Sequence, residues 1–114
     1  MKKLMVIILT VLFFTGCYEA YDNVIYSVTG DSSSVDITYR NKKGNYITLE
    51  NVSLPWSVEW NETIDEDNTM VEADILVVNN DNNLIVVEVI DNNCIVLHDR
   101  AWVIDEVVHL KRSW

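Results

Sequence analysis

The amino-acid sequence predicts an all-β fold, one domain of seven or eight short antiparallel strands closed into a β-sandwich or a barrel. Three observations predict it. From Asn23 onward, short runs rich in Val, Ile, Thr, Tyr and Trp alternate apolar with polar residues, the two-residue period of a strand with one buried face. Clusters of Asn, Asp, Gly and Ser separate these runs, and such residues tolerate tight backbone and bond to it locally. No stretch pairs a 3.6-residue apolar period with helix-capping residues.

Val24, Tyr26 and Val28 share one face of the first strand, which stops at Gly30-Asp31-Ser32-Ser33. The second turns Val35, Ile37 and Tyr39 inward and Asp36, Thr38 and Arg40 outward. A hairpin turn at 41–45, with Gly44 free to take positive φ, leads into a third strand at 46–50. Pro55 marks a break, after which Trp56, Val58 and Trp60 line one face of a fourth strand with Ser57 and Glu59 opposite. The acidic stretch 62–68 reads as a loop. Strands at 70–78, 84–90, 94–98 and 102–110 follow, with turns at Asn79-Asn80-Asp81-Asn82-Asn83 and Asp91-Asn92-Asn93. Leu84-Ile85-Val86-Val87 is apolar on both faces and marks a central strand. In 102–110, Val103, Val107 and Leu110 also fit a helical stripe, and the β-branched content assigns strand. About 100 residues bury roughly 60–70% of their unfolded surface, enough for one core without disulfide staples.

Residues 1–16 have the parts of a secretory signal in order: Lys2 and Lys3, an apolar run at 4–14, and Thr15-Gly16 before Cys17. That run is well short of the roughly 17–25 apolar residues a membrane-spanning helix needs. Phe14-Thr15-Gly16-Cys17 resembles the lipobox of bacterial lipoproteins, with Phe14 where Leu is usual. The resemblance implies cleavage before Cys17 and a diacylglycerol thioether on its sulfur. Each buried lipid methylene contributes about 0.8 kcal/mol, so two or three acyl chains anchor durably where one is marginal. The expected organisation is a signal at 1–16, a lipidated cysteine and short tether at 17–22, and a β-sandwich at 23–114. The expected location is the bacterial cell envelope, outside the cytoplasm, at the outer membrane or cell surface.

The chain carries eight Lys and Arg against 18 Asp and Glu, a net charge of −10. Loss of Lys2 and Lys3 with the signal leaves six against 18, or −12. Such a balance argues against nucleic acid as a partner, because phosphate binding depends on clustered cations. It also leaves membrane attachment to the lipid, since an anionic leaflet repels the domain. With Cys17 lipidated, Cys94 is the one remaining thiol and no disulfide can form within the chain. Its setting in Cys94-Ile95-Val96-Leu97 reads as a small buried residue, with pairing to another chain as the other reading.

Nucleophilic catalysis needs a base beside the nucleophile, and neither of the two histidines, His98 and His109, sits in such a motif. Ser32-Ser33-Ser34 lacks the Gly-x-Ser-x-Gly setting that exposes a nucleophile. Asp65-Glu66-Asp67-Asn68 and the turn at 79–83 are oxygen-rich without the ligand spacing of a calcium loop. One thiol and two scattered histidines lack zinc spacing, and carboxylates are too abundant for any pair to stand out. No enzyme activity, metal or cofactor is therefore expected beyond the covalent lipid on Cys17. Trp56 and Trp60 fit either the core or an aromatic ligand platform, and core is preferred because buried aromatics supply much of a small sandwich's apolar area. The tail at 110–114, with Lys111, Arg112 and Trp114, reads as an exposed contact.

Three segments carry a further resemblance: Val24-Ile25-Tyr26-Ser27-Val28-Thr29-Gly30, then Val35-Asp36-Ile37-Thr38-Tyr39-Arg40-Asn41, then Asn51-Val52-Ser53-Leu54-Pro55-Trp56-Ser57. In this order they resemble the mycobacterial membrane protein small (MmpS) family and its lipoprotein relatives. The match covers about half the chain, and beyond Glu62 only the general strand pattern follows. It implies an immunoglobulin-like antiparallel β-sandwich and, in the mycobacterial members, an accessory role beside large lipid and siderophore exporters, with no catalytic residues. The chain departs from those members in carrying a lipobox in place of a transmembrane helix. The expected function is thus a non-enzymatic, lipid-anchored accessory or scaffold for an envelope or export complex, with an envelope transporter or other envelope protein as partner. Tyr39, Pro55 and Trp56 are its expected structural anchors. An extracytoplasmic ligand-binding module, an adhesion domain and a hydrolase assembled from carboxylates are the alternatives.

Overall fold

In the computed structural model the described residues are 21–63 and 71–114; the signal, Cys17 and 64–68 of the acidic stretch lie outside them. Period-two alternation builds eight strands: β1 (Tyr21–Gly30), β2 (Val35–Arg40), β3 (Tyr46–Val52), β4 (Trp56–Thr63), β5 (Glu72–Asn79), β6 (Ile85–Asp91), β7 (Cys94–Ala101) and β8 (Val107–Ser113). They form two antiparallel sheets, ordered β4-β1-β6-β7 and β3-β2-β5-β8. The inner faces of both contribute to one core, so the fold is the expected β-sandwich. Within that architecture the strand order is its own. β1 is central, flanked by β4 and β6, whereas the first strand of a constant-type immunoglobulin domain lies at a sheet edge.

Val24, Tyr26 and Val28 of β1, Val35 and Ile37 of β2, and Ile85, Val87 and Val89 of β6 are fully buried, following the alternation read from the sequence. β6 is a central strand, which explains why its segment is apolar on both faces. β4 is an edge strand, so Trp56, Val58 and Trp60 pack on the core from its rim and stay half-buried. The two indoles join an aromatic series: Trp60 to Tyr26 at 5.0 Å and Tyr26 to Tyr39 at 5.8 Å edge-to-face, and Tyr39 to Trp56 at 5.4 Å in a tilted contact, between centroids. Each such pair contributes about 0.5–1.5 kcal/mol beyond its buried area. Pro55, after a cis peptide bond, is exposed at the entrance to β4.

Tyr26 also carries a buried polar link between the sheets. Its hydroxyl donates to the Arg40 carbonyl at 2.9 Å and accepts from the Asp74 amide at 3.0 Å. The ladder between β2 and β5 ends at Tyr39↔Ile75, one residue short of Arg40 and Asp74. The phenol from the other sheet therefore occupies the first position that the ladder leaves open. Burial pushes the Tyr26 hydroxyl up to about 12, which keeps it protonated and able to donate.

The turns follow their residues. Asn92 and Asn93 both take positive φ, 49° and 68°, as a two-residue type I′ hairpin between β6 and β7 requires. Gly44 takes φ +84° in the β2–β3 hairpin, as expected. Gly30 has φ +130°, and a Cβ there would lie 2.2 Å from the Leu84 carbonyl oxygen, so no other residue fits.

Several boundaries differ from expectation. β1 starts at Tyr21, so the last two residues of the expected tether pair in the sheet, Tyr21 with Thr63 and Asp22 with Glu62. Glu62 accordingly belongs to β4 and not to a loop, while β3 and β7 run on to Val52 and Ala101. The expected strand at 102–110 begins only at Val107, and 102–106 is a turn; the helical alternative does not form either. Of the tail at 110–114, residues 110–113 belong to β8, with Lys111 and Arg112 exposed as expected, and Trp114 follows the strand half-buried. Trp114 exchanges both backbone bonds with Val71, at 2.7 and 2.9 Å. Cys94 is exposed where burial was expected, because it opens an edge strand beside the hairpin turn, where apolar neighbours in sequence provide no cover.

Tyr26→Phe should keep the ring packing and leave the Arg40 carbonyl and Asp74 amide without their shared partner. Stability should fall by about 1–3 kcal/mol, the cost of an unsatisfied buried group. Urea unfolding with an unchanged m-value checks it, and a loss below about 0.5 kcal/mol, the low end of a net hydrogen-bond contribution, would show the hydroxyl to be dispensable.

Candidate functional site

Strand register assigns each connection to one of two poles. Pairing of Tyr21 with Thr63, Arg40 with Tyr46, Asp91 with Cys94 and Glu72 with Ser113 collects the start of β1, two hairpins and the chain end at one pole, here the base. Pairing of Gly30 with Ile85, Val35 with Val52 and with Asn79, Val78 with Val107, and Ile85 with Ala101 collects the loops 31–34, 53–55, 80–84 and 102–106 at the other, the tip.

The tip bears the most unusual surface among the described residues. Trp102, Val103 and Ile104 are three consecutive large apolar side chains, 54, 55 and 47% exposed, and Val107 at 51% continues the patch onto β8. The loop that carries them is held at every amide. The Glu106 carboxylate reaches back to accept from Trp102 N at 2.9 Å and Val103 N at 3.4 Å. Ile104 N donates to Asn82 Oδ1 at 2.8 Å, Asp105 N to the Asn79 carbonyl at 2.7 Å, and Glu106 N to the Val103 carbonyl at 3.1 Å. Asp105 takes φ +66°, the bend that turns the chain into β8. A loop with all its donors satisfied presents its side chains in one arrangement, and here those side chains form an apolar knuckle in water.

The tip loops at 31–34 and 80–83 are polar, and their oxygens are engaged in the turns themselves. Asn79 Oδ1 accepts from the Ser32 hydroxyl at 2.8 Å, and Asp81 accepts from Ser33 N at 2.8 Å and Asn83 N at 2.9 Å. Those bonds hold the Asp81 carboxyl below the usual carboxylate range, and the Asn51 amide at 2.9 Å does the same for Asp36. The oxygen-rich run at 79–83 is thus a self-bonded turn, and 64–68, with Asp65, Glu66, Asp67 and Asn68, lies outside the described residues. No group of three or more His, Cys, Asp or Glu with metal-holding geometry occurs among the described residues.

At the base, three strands bring together residues that the sequence separates widely. Asp74 on β5 accepts from His109 Nε2 of β8 at 2.7 Å and from the Tyr46 hydroxyl of β3 at 2.6 Å. Burial alone would raise Asp74; the hydrogen bonds from Tyr46 and His109, with the charges of His109 and Lys111, outweigh it and hold the carboxyl low. The arrangement orients a half-exposed imidazole, and its third member is a phenol that serves as donor to the same carboxylate. His98 is exposed on β7 with only a long 3.4 Å contact to Arg100. An open cleft of about 330 Å³ lies between the β2–β3 hairpin and β4, lined by Tyr39, Asn41, Lys42, Lys43, Val58, Glu59 and Trp60. Of the two tryptophans weighed as a ligand platform, Trp60 lines that cleft.

Also at the base, Asp91 on β6 stands beside Asp22 on β1 and accepts from Trp114 Nε1 at 2.6 Å, while its Oδ1 is buried without a hydrogen-bond partner. Burial and the neighbouring Asp22 carboxylate push Asp91 up to about 6, against the Trp114 bond and the Arg112 charge. The Tyr46–Asp74–His109 cluster, the Asp22–Asp91 pair and the knuckle were not apparent in the sequence. The one local signal for the knuckle is an acidic pair, Asp105-Glu106, closing an apolar triplet.

Because the folded pKa of Asp91 lies above the unfolded value of about 3.9, its protonated form favours the fold. That stability is fully present below about pH 4 and lost as pH rises through 6. Asp91→Asn keeps the acceptor for Trp114 and supplies a donor toward Asp22. The variant should melt at or above wild type at pH 8 and lose less stability between pH 4 and 7; an unchanged pH profile would rule the pair out. Glu106→Ala should release two knuckle amides, costing about 1 kcal/mol. Hydrogen exchange at Trp102 and Val103 should then accelerate while the β1 and β6 amides stay protected, and unaltered exchange at both positions would refute the clamp.

With this geometry in place, comparison of the chain with protein-family models returns no match, and neither does comparison with curated proteins.

Proposed function

We propose that the protein is a non-enzymatic envelope lipoprotein, anchored through Cys17 and acting as an accessory or scaffold that docks onto an envelope or export complex. One observation supports this above others: the start of β1 and the apolar knuckle occupy opposite poles of the sandwich. Tyr21 follows Cys17 by four positions, so the base stays within about 15 Å of the lipid-bearing residue whatever path the chain takes. β1 then rises about 30 Å over its ten residues at roughly 3.3 Å each. A domain anchored at its base would hold its apolar knuckle well clear of the lipid headgroups, where a protein partner is met. The signal-like N-terminus and the resemblance of the 24–57 region to the MmpS family support the same reading.

A second reading is favoured by the cleft beside Trp60, whose aromatic rings and mixed charges, Lys42 and Lys43 with Glu59, suit a small polar extracytoplasmic ligand. In that case a small ligand should raise the melting temperature, which docking through the knuckle would not require.

Cys17→Ser removes the sulfur that would bear the diacylglycerol. The variant should appear in the soluble extracytoplasmic fraction, with labelled fatty acid no longer incorporated, while the wild type partitions into detergent. A variant still held in the membrane would overturn the lipoprotein reading.

A further inference from the structure

We propose that Trp102, Val103 and Ile104 form a preorganised docking knuckle for a protein partner that presents an apolar socket ringed by Lys or Arg. The proposal rests on the reading of the chain as an anchored accessory and adds the chemistry of what it docks to.

The physical case has three parts. The knuckle is costly to maintain in water, since it exposes three large side chains in succession, whereas the tip loops bonded to or facing it read Asp31-Ser32-Ser33-Ser34 and Asn80-Asp81-Asn82-Asn83 and the remaining one, Ser53-Leu54-Pro55, leaves only Pro55 exposed among its apolar residues. Turn-forming chemistry alone would select polar residues there. The loop is also ordered before any partner arrives, because its five amides are satisfied by Glu106, Asn82, Asn79 and Val103. Ordering cost is therefore largely removed from the binding step, and Trp is among the residue types that dominate interface energetics.

Charge then selects the occupant. The tip loops carry Asp31, Asp81, Asp105 and Glu106 and no Lys, Arg or His. Asp105 and Glu106 belong to the knuckle loop itself, and Asp81 adjoins Asn82, which bonds to Ile104. Burying this rim against an anionic leaflet would set like charges together, and two copies meeting tip to tip would do the same. A rim of opposite sign relieves both penalties while the apolar centre is covered. The flanking β7 edge supplies one cation, Arg100, which stacks on Trp102 at 6.0 Å and holds its ring.

The test places the photoreactive amino acid p-benzoylphenylalanine at position 103 of the full-length chain in intact cells, with position 48 on the exposed face of β3 as control. Crosslinked peptides are identified by mass spectrometry. Support is a discrete protein adduct from 103 and not from 48, joined to an apolar segment flanked by Lys or Arg. Its yield should fall roughly tenfold with Ile104→Asp and also fall with Asp31→Lys combined with Asp105→Asn. Both variants alter exposed side chains, and unchanged melting temperatures confirm that they fold. The proposal is overturned by absence of a position-specific protein adduct, by an adduct to lipid or to a second copy, by crosslinking into an acidic segment, or by indifference to the charge variants. Membrane retention measured in the same cells separates the two readings, since a retained chain without the adduct sinks the knuckle and leaves the anchor standing.

Discussion

The hydroxyl of Tyr26 is the constraint on which the sandwich depends. Two sheets packed by apolar contact alone can slide, because the hydrophobic effect has no direction. A buried phenol bonded to the Arg40 carbonyl and the Asp74 amide restrains the relative position of the sheets, since both groups lie in the opposite sheet just beyond the end of the β2–β5 ladder. The ring of the same residue touches Trp60 and Tyr39, so the apolar and polar restraints act through one side chain. Asp74 is consequently fixed in backbone and side chain together, with Tyr26 on its amide and His109 and Tyr46 on its carboxylate. The base cluster is thus a direct extension of the inter-sheet bond.

A chain with 18 acidic residues has to accommodate mutual repulsion, and several of these carboxylates do so by taking backbone donors. Asp36 accepts from Asn51 N, Asp81 from Ser33 N and Asn83 N, and Glu106 from Trp102 N and Val103 N. Each anion then acts as a turn former, and its charge is offset by the amide dipoles it receives. Asp91 is the exception: it faces another carboxylate, keeps one oxygen unpaired and resists ionisation. The contrast is physical and local, since the same side-chain type is held low where amides converge on it and pushed up where burial and a like charge meet.

Much of the fold was legible in the sequence because sandwich strands write their period directly. Val35, Ile37 and Tyr39 are buried and Asp36, Thr38 and Arg40 less so; Trp56, Val58 and Trp60 alternate with exposed Ser57 and Glu59. The Asn92-Asn93 turn was equally plain, because a short loop with two positive φ values admits few residue types. What escaped was set by distance in the chain. The 102–110 run looked like strand because Val and Ile carry strand propensity, yet Glu106 and an Asn82 side chain 22 residues away hold its first half as a turn. Propensity is a weak local prior, and here tertiary hydrogen bonds override it. Cys94 was misjudged for a related reason, since apolar neighbours indicate strand but not whether that strand lies at an edge. His109 and Asp74 are 35 residues apart, and only the β5–β8 pairing makes them neighbours.

The two poles are built on opposite principles, and their separation follows from β1. That strand is ten residues long, is paired on both sides and runs from the base to the tip without interruption. Both of its neighbours are antiparallel to it, so β4 and β6 begin at the tip and end at the base, where Glu62 and Asp91 take their places beside Asp22. The inner face of this sheet therefore turns from apolar to acidic at the start of β1 and the ends of β4 and β6. At the tip the order is reversed: the interior closes over Ser32 and Asn79, whose polar side chains bond to each other, while apolar residues are carried outward on the knuckle. A core that finishes in satisfied polar groups has no need of Trp102, Val103 or Ile104 to seal it. Their apolar surface lies outside the core, so the proposed docking would bury area that the fold itself leaves in water.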